Sequence, residues 1–517
     1  MALTKDIYRA LEDIIGPENI SDEPAILDSY AFQGMGELFS KEGDKFVFRP
    51  EAVVLPCSTE EVQAIVKACN RYKIKFKAYS TGWGVWGGPG SEGVIQLDLR
   101  RMSRILEINE KDMYAVVEPY VIGAELQAEL MKRGLNCQMI VAGSNASAFP
   151  LAPLVGDGLS SVSTSMTGRN TLGVEMVLPT GEVLRLGSLG SGAGWFSGDG
   201  PGPSLRGLVR GINSTRGGVG VFTKAATKVF HWPGPAVSPS EGVSPSYTVK
   251  PFPEMHSYYV FFPSWESLSE AVIRIAESEI AYILGAIPQF HLAADLATNN
   301  EEGAKLLGEI LESTKGLPCS LIVLIGRSRR EFEYQEKVLK EILKETGGEI
   351  LPLVEDEEIQ GGVTWRFIRV SAGARQVFRF CGGFGYFDPM ANWDRTPDIR
   401  GGEGNKILRK YVEKGLVLDD GGDSGFSTSI EYGHLEVSAL QVYFDPLEAE
   451  SRQAIIDMIM EIGRVNLEKY KFTGVAIRSE DHEMLGPLQS NYHVWLRKLK
   501  KAFDPNTAAD PSFYIKP

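Results

Sequence analysis

The run TGWGVWGGPG (81–90) constrains this chain more than any other stretch, because it joins two segments that both read as strands. IKFKAYS (74–80) lies before it and GVIQLDL (93–99) after it. Gly82, Gly84 and Gly87 spell GxGxxG, a pattern that in doubly wound folds opens a helix whose N-terminus faces a pyrophosphate. Here Pro89-Gly90 lead into a second strand instead, and no acidic residue stands about 20 positions on at the end of another parallel strand. Successive glycines can still let backbone N–H groups converge on an anion between two strands. Taken alone, the run reads more readily as a glycine-rich turn with no ligand than as an anion cradle.

The flanking pattern is that of an α+β domain. Residues 4–16 read as an amphipathic helix, and AVVL between Pro50 and Pro56 as a short buried strand. Ser58 is a helix N-cap with Glu61 in the capping-box position, and the helix 59–71 sets Val62, Ile65, Val66 and Cys69 on one face. MYAVVEP (113–119) is a strand, and 122–134 a helix closing on Gly134. Residues 172–187 form a hairpin turning on Thr180-Gly181, and 218–230 alternate as a strand or a strand pair. WPGPAVSPSEGVSPS (232–246) reads as a linker. Beyond it a strand followed by a helix occurs at 258–279, 319–348 and 435–470, which places helices on one face of a second sheet. A last helix spans about 489–502.

Length and charge remove several function classes. A chain of 517 residues suits two or three domains. Its net charge of −14 argues against a nucleic-acid partner, which needs clustered Lys and Arg. The five cysteines have neither CxxC nor Cys/His ligand spacing, so neither a disulfide framework nor an iron–sulfur cluster is expected. The N-terminal stretch lacks the h-region of a signal peptide, and no run of about 18 apolar residues exists to span a membrane. A cytoplasmic location is the expectation.

Five segments in order carry a family resemblance: 50–70, 77–88, 93–126, 154–187 and 208–230, with the tail KKAFDPNTAADPSFYIKP (500–517). Together they resemble the vanillyl-alcohol oxidase / p-cresol methylhydroxylase (PCMH-type) flavoproteins, including the glycolate and D-lactate dehydrogenase FAD-subunit branch. The resemblance implies an α+β protein with a two-subdomain FAD-binding domain (1–235), an α+β substrate (cap) domain with an antiparallel sheet (236–470), and a C-terminal segment (471–517) returning to the first. At matching positions it implies that Ser80, Thr81, Gly82, Trp83, Gly84 and Val85 form the first pyrophosphate loop, and that Glu118 and Pro119 lie beside the adenosine half. Gly156, Asp157, Gly158 and Ser161 would pass the flavin, and Gly217, Gly218, Gly220 and Val221 would close around it. Members with flavin bonded to the first loop have His where this chain has Trp83, and a partner Cys near Gly156 is missing, so non-covalent FAD is expected. Tyr120 and Ser512 stand where the family usually has Gly.

The same resemblance implies an FAD-linked dehydrogenase that oxidises a small hydroxylated substrate, most simply a 2-hydroxy acid, by hydride transfer to flavin N5. Electrons would pass to a partner such as an electron-transfer flavoprotein or an iron–sulfur subunit, and an oligomer is compatible with this. His434, in EYGHLEVSALQVYF, stands where hydroxy-acid dehydrogenases carry HxGDGNxH, but the second histidine position holds Gln441 and the later Glu-His pair is reduced to Glu480-Asp481-His482. His434 reads either as a structural strand histidine or, with Glu436 on the same strand face, as a base with its orienter or a pair of metal ligands. No metal is assigned. VTWRFIRVSAG (363–373) is similar to a segment whose Arg pairs with the substrate carboxylate, with Arg369 the better match and Arg366 the second. Tyr386, Phe387 and Trp393 read as ordinary packing or as the aromatic wall that oxidation of a para-substituted phenol would use. A third reading is an FAD-carrying electron-relay subunit that oxidises nothing by itself.

Overall fold

The computed structural model describes residues 3–33, 36–38, 40, 46–82, 87–139, 143–151, 161–165, 167–200, 205, 207, 215–243, 247–314, 316–369, 383–387, 390–419, 426–470 and 478–517. The helix Lys5–Ile15 starts where Thr4 caps the Ile7 N–H, and Thr59–Tyr72 starts where Ser58 accepts from the Glu61 N–H. Glu61 reaches back one residue further than a standard capping box, taking the Cys57 N–H at 2.7 Å. Val62, Ile65, Val66 and Cys69 are fully buried along this helix. They pack against a four-stranded sheet ordered Ile20–Ser21, Val53–Val54, Val94–Asp98, Lys75–Tyr79. The last two strands run parallel, and the glycine-rich run between them leads straight from one to the other without a described helix. That geometry fits the reading of residues 81–90 as a loop between strands.

A second, antiparallel sheet is ordered Ile105–Asn109, Tyr114–Val117, Val221–Lys228, Thr171–Val177, Val183–Leu186. Its hairpin turns at Thr180-Gly181, where Gly181 takes φ +88°, a conformation that favours glycine. Val177 and Val221 of this sheet also enter the core under the first sheet, so the two subdomains share apolar contacts.

The third sheet is antiparallel throughout its described pairs. Its order is Glu349–Ile350, Met255–Phe261, Cys319–Ile325, Ala281–Ala286, Phe426–Ile430, Leu435–Phe444, Gly383–Phe387, with Met390–Ala391 also on Leu435–Phe444. Helices Trp265–Glu277 and Arg329–Thr346 cover one face through Leu268, Val272, Ile275, Leu339 and Ile342. The other face packs Tyr259, Ile283, Leu321 and Val323 against Met131 and Trp232 of the N-terminal half. One sheet therefore presents a face covered by Trp265–Glu277 and Arg329–Thr346, and a second face shared between the N-terminal half and helices such as Gln289–Leu296.

The C-terminal segment closes the first half. Ala509 bridges Phe76 at the edge of the first sheet, and Tyr514 and Ile515 enter the core of the second. Lys500, fully buried, donates to Asp504 at 2.5 Å, to the Gly218 carbonyl at 2.6 Å and to the Ala509 carbonyl at 2.9 Å. Asp504 in turn accepts from the Ala508 and Ala509 N–H groups. Asp504→Ala should leave a buried ammonium without its counter-charge and lower unfolding stability by about 3–5 kcal/mol, measured by urea denaturation. Lys500→Met with Asp504→Leu, which removes both charges, should recover much of that loss.

Candidate functional site

Two neighbouring regions carry the candidate residues: the glycine-rich cradle between the first two sheets, and the inward face of the third. In the cradle, Ser80 and Thr81 come directly after the strand Lys75–Tyr79, and Thr81 Oγ1 accepts the Ser147 N–H at 3.1 Å. Ser147 Oγ donates to the Pro119 carbonyl at 2.6 Å, which ties the first loop to the segment after Tyr114–Val117. Gly82 has φ +75°, and a Cβ there would lie 2.0 Å from the Tyr79 hydroxyl. Gly217 has φ +79°. A Cβ on Gly218 would collide with Tyr514 at 2.4 Å, and one on Gly220 (φ +129°) with the Val177 carbonyl at 2.3 Å. Val221, fully buried, begins the strand beyond them. Ser161 is buried, with its hydroxyl 2.8 Å from that of Ser163. Glu118 is buried in a clamp with Arg104, accepting its backbone N–H and its guanidinium, each at 2.8 Å. Trp83, Gly84, Val85, Gly156, Asp157 and Gly158 lie outside the described residues.

The cradle suits a large anionic cofactor. Lys77 and Arg216 are buried beside it, and burial pushes the Lys77 ammonium down to about 7, opposed by Asp510 and reinforced by Arg216. The buried Thr215 Oγ1, Gln33 Oε1 and Gln96 Oε1 have no hydrogen-bond partner among the described residues. Buried cations and the unsatisfied Thr215 hydroxyl are donors that a phosphate-bearing ligand would complete, while the two glutamine oxygens would accept from a donor on such a ligand.

On the inward face of the third sheet, alternation along Leu435–Phe444 separates two sets of residues. Ser438 pairs with Ser427, and Ser427 with Ala286, a residue of the helix-covered core. Glu436, Ser438, Val442 and Phe444 therefore take the helix side, and Gln441 and Tyr443 the inward side. There Tyr443 donates to Gln441 Oε1 at 3.1 Å, and His291 Nε2 meets the same oxygen at 3.1 Å. His291 lies on the helix Gln289–Leu296, and its neighbour Phe290 stacks on Tyr443 with ring centroids 4.2 Å apart. Burial pushes the His291 imidazole down to about 4; the hydrogen bond with Gln441 opposes this and the nearby Arg366 guanidinium reinforces it. Arg366 sits on a single π-helical turn, Thr364–Ile368, whose Ile368 carbonyl accepts from Gln127 of the helix Gly123–Met131 at 2.8 Å. The cluster thus stands where the sheet meets the N-terminal half.

The structure does not bring His434 and Glu436 together. His434 closes an exposed turn in which Glu431, Tyr432 and Gly433 all have positive φ, so strand alternation starts only after it. This turn docks on the N-terminal half through Glu431, which accepts from Ser165 Oγ and from Arg169, the latter at 2.8 Å. Glu436 is fully buried on the helix side and accepts from Thr396 at 2.5 Å. Arg369 caps the π-helical turn, donates to the Ser238 carbonyl at 3.3 Å, and has its pKa lowered by burial. Glu480 is an exposed partner of Lys516, whereas His482 is buried against the Tyr492 hydroxyl at 2.8 Å, so that pair does not act together. Trp393 packs into the helix-side core. Tyr386 stands opposite Gln441 in the strand register. His291 carries no local sequence signal; only the tertiary contact with Gln441 identifies it.

Residues 50–187 match the FAD binding domain family. The chain is 25% identical over 366 residues to a probable mitochondrial D-lactate dehydrogenase of Danio rerio, covering 69% of this chain and 63% of that protein. It is 26% identical over 238 residues to glycolate oxidase subunit GlcD of Bacillus subtilis (strain 168), covering 45% and 46%. Among solved structures it is similar to p-cresol methylhydroxylase with substrate bound, with a TM-score of 0.76 and 17% identity over 99% of this chain and 98% of that one. The chain thus spans less than two thirds of the length of these two curated relatives, while its fold matches the solved structure almost end to end.

His291 and His482 are both held neutral, each pushed down to about 4 from the usual 6.5 chiefly by burial. Between those values the unfolded chain binds protons that the folded one does not, so stability is full above about pH 6.5 and is lost as pH falls towards 4. Urea midpoints measured across that window should fall with acid, and His482→Gln should flatten part of the slope.

Proposed function

Because the chain binds FAD through a domain at residues 50–187 and has the p-cresol methylhydroxylase fold, we propose that it is an FAD-dependent dehydrogenase of a small 2-hydroxy acid. The observation that carries this reading is the cluster of buried His291, Gln441 and Tyr443 with half-buried Arg366 beside it, where the inward sheet face meets the N-terminal half. Bound FAD supplies the two-electron acceptor. Arg366 supplies a positive field on a partly dry surface, where a carboxylate gains most from a guanidinium. Arg369, one residue past the same turn, is the second candidate for that carboxylate. His291, kept uncharged by burial, serves as a neutral hydrogen-bonding ring that holds Gln441 and adds no second cation to the site. The similarity to D-lactate dehydrogenase and to a glycolate oxidase subunit supports the hydroxy-acid class, and the latter being a subunit supports delivery of electrons to a partner protein.

Phenol oxidation is the second reading. The stack of Phe290 on Tyr443 beside Arg366 favours it, since an aromatic wall, a tyrosine hydroxyl and a guanidinium together suit a phenolate. The flavin is proposed to be non-covalent, with Trp83 in the position of the linking histidine.

A visible spectrum before and after acid precipitation, and then anaerobic addition of D-lactate, glycolate and p-cresol, tests these readings together. A yellow supernatant and bleaching by a hydroxy acid are expected. Bleaching by p-cresol alone would transfer the assignment to phenols, and a flavin that no donor bleaches would favour an electron-relay subunit. Arg366→Leu should retain FAD and raise the apparent dissociation constant for the acid about 10–100-fold, the loss of one charge-assisted hydrogen bond.

A further inference from the structure

We propose that the side-chain amide of Gln441 is the hydrogen-bond donor that grips the substrate's reacting hydroxyl oxygen, an assignment resting on the reading of this cluster as the substrate site. Gln441 is 7% exposed, and its amide is held from one end only. Its Oε1 receives the Tyr443 hydroxyl and meets His291 Nε2, both at 3.1 Å. A carbonyl oxygen has two lone pairs, and two donors fill them. The same pair of donors sets the orientation of the amide, turning its NH2 group away from both rings. That nitrogen makes no hydrogen bond among the described residues.

The nitrogen is not sealed off, so an acceptor entering the site can reach it. A donor so placed, with its orientation fixed by an aromatic stack and a neutral imidazole, is suited to an acceptor that arrives with the ligand. His291 donates through Nε2 in this arrangement, which places its lone pair on Nδ1. The acceptor we assign is oxygen: the hydroxyl of a 2-hydroxy acid whose carboxylate answers to Arg366. During oxidation the carbinol C–H bond breaks and its electron pair passes with the hydrogen to the flavin. The hydroxyl proton leaves to water, and the C–O bond becomes C=O. Negative charge gathers on that oxygen as its proton departs, and an amide N–H aimed at it stabilises the transition state more than the ground state.

The test uses the FAD-loaded protein and its variants Gln441→Leu, Gln441→Glu and Tyr443→Phe. Each is checked for flavin absorbance and melting temperature, then mixed anaerobically with D-lactate and with glycolate while flavin reduction is monitored. Gln441→Leu should retain FAD and lower the limiting reduction rate about 10²–10³-fold, the usual effect of removing one such donor. Gln441→Glu keeps the shape but offers an acceptor in place of a donor. Its reduction rate should rise as pH is lowered and the carboxyl gains a proton, a dependence that a packing role would not produce. Tyr443→Phe frees the amide without removing it and should give a smaller fall, which keeps the proposal testable if the leucine variant does not fold. Wild-type reduction rates in Gln441→Leu or Gln441→Glu would overturn the assignment while leaving the substrate-site reading intact. A wild-type flavin that neither hydroxy acid reduces would overturn the hydroxy-acid reading and this assignment with it.

Discussion

The two-residue alternation of the strand Leu435–Phe444 is the constraint on which the candidate site depends. It sends Glu436, Ser438, Val442 and Phe444 to the helix-covered side and Gln441 and Tyr443 to the side that meets the FAD-binding half. A slip of one residue would bury Gln441 among helices and turn Glu436 towards the cofactor domain, so the register sets the chemistry of the site as well as its packing. That register is held by backbone pairing on both edges, to Phe426–Ile430 and to Gly383–Phe387. On the helix side a polar set reinforces it: Arg400 donates to Ser427 and Ser438 at 2.8 and 3.0 Å, and Thr396 to Glu436. Such contacts could not be made in the slipped register.

Local signals in the sequence read well wherever local physics decides the structure. Ser58 caps its helix, Gly181 turns its hairpin, and the strand-then-helix order beyond the linker appears as an antiparallel sheet. Helices pack on both of its faces and not on one, because Gln289–Leu296 and Asn300–Thr314 cover part of the inward face. The glycine-rich loop teaches the same lesson from the other direction, because the strand downstream of the glycines discriminates between folds better than the glycines themselves. Site chemistry is less legible. His434 and Glu436 read as strand neighbours on one face, but three consecutive positive-φ residues make a turn immediately before the strand and end the alternation there. Arg366 and Arg369 are both visible as candidates. The choice between them lies in one π-helical turn, whose extra residue rotates the side chains away from α-helical spacing. His291 is legible only as one of six histidines, because its partner Gln441 lies 150 residues along the chain.

The cradle and the cap site obey a common electrostatic rule. The chain carries a net charge of −14, yet cationic groups stand at both places where an anion would bind: Lys77 and Arg216 beside the glycine loops, and Arg366 on the π-helical turn near His291. Surface charge acts through water and salt, and at physiological ionic strength is largely screened beyond about 8 Å. A guanidinium withdrawn from bulk water acts through a lower effective dielectric and at contact distance. An acidic exterior and anion-seeking interior sites are therefore compatible, and net charge alone could not have ruled out a carboxylate substrate.

Burial also decides which groups remain neutral. The same desolvation that lowers Lys77 to about 7 lowers His291 to about 4, and in the second case Arg366 adds to the effect. A protonated His291 beside Arg366 would place two cations in one dry cluster, and its charge would be the easier to lose because a proton can leave an imidazole but not a guanidinium. The arrangement divides the labour: Arg366 keeps the permanent charge for binding, while His291 stays a neutral hydrogen-bonding ring that fixes the Gln441 amide. Substituting lysine for Arg366 would weaken this division, since a lysine in the same place could shed its own proton and leave the histidine free to take one.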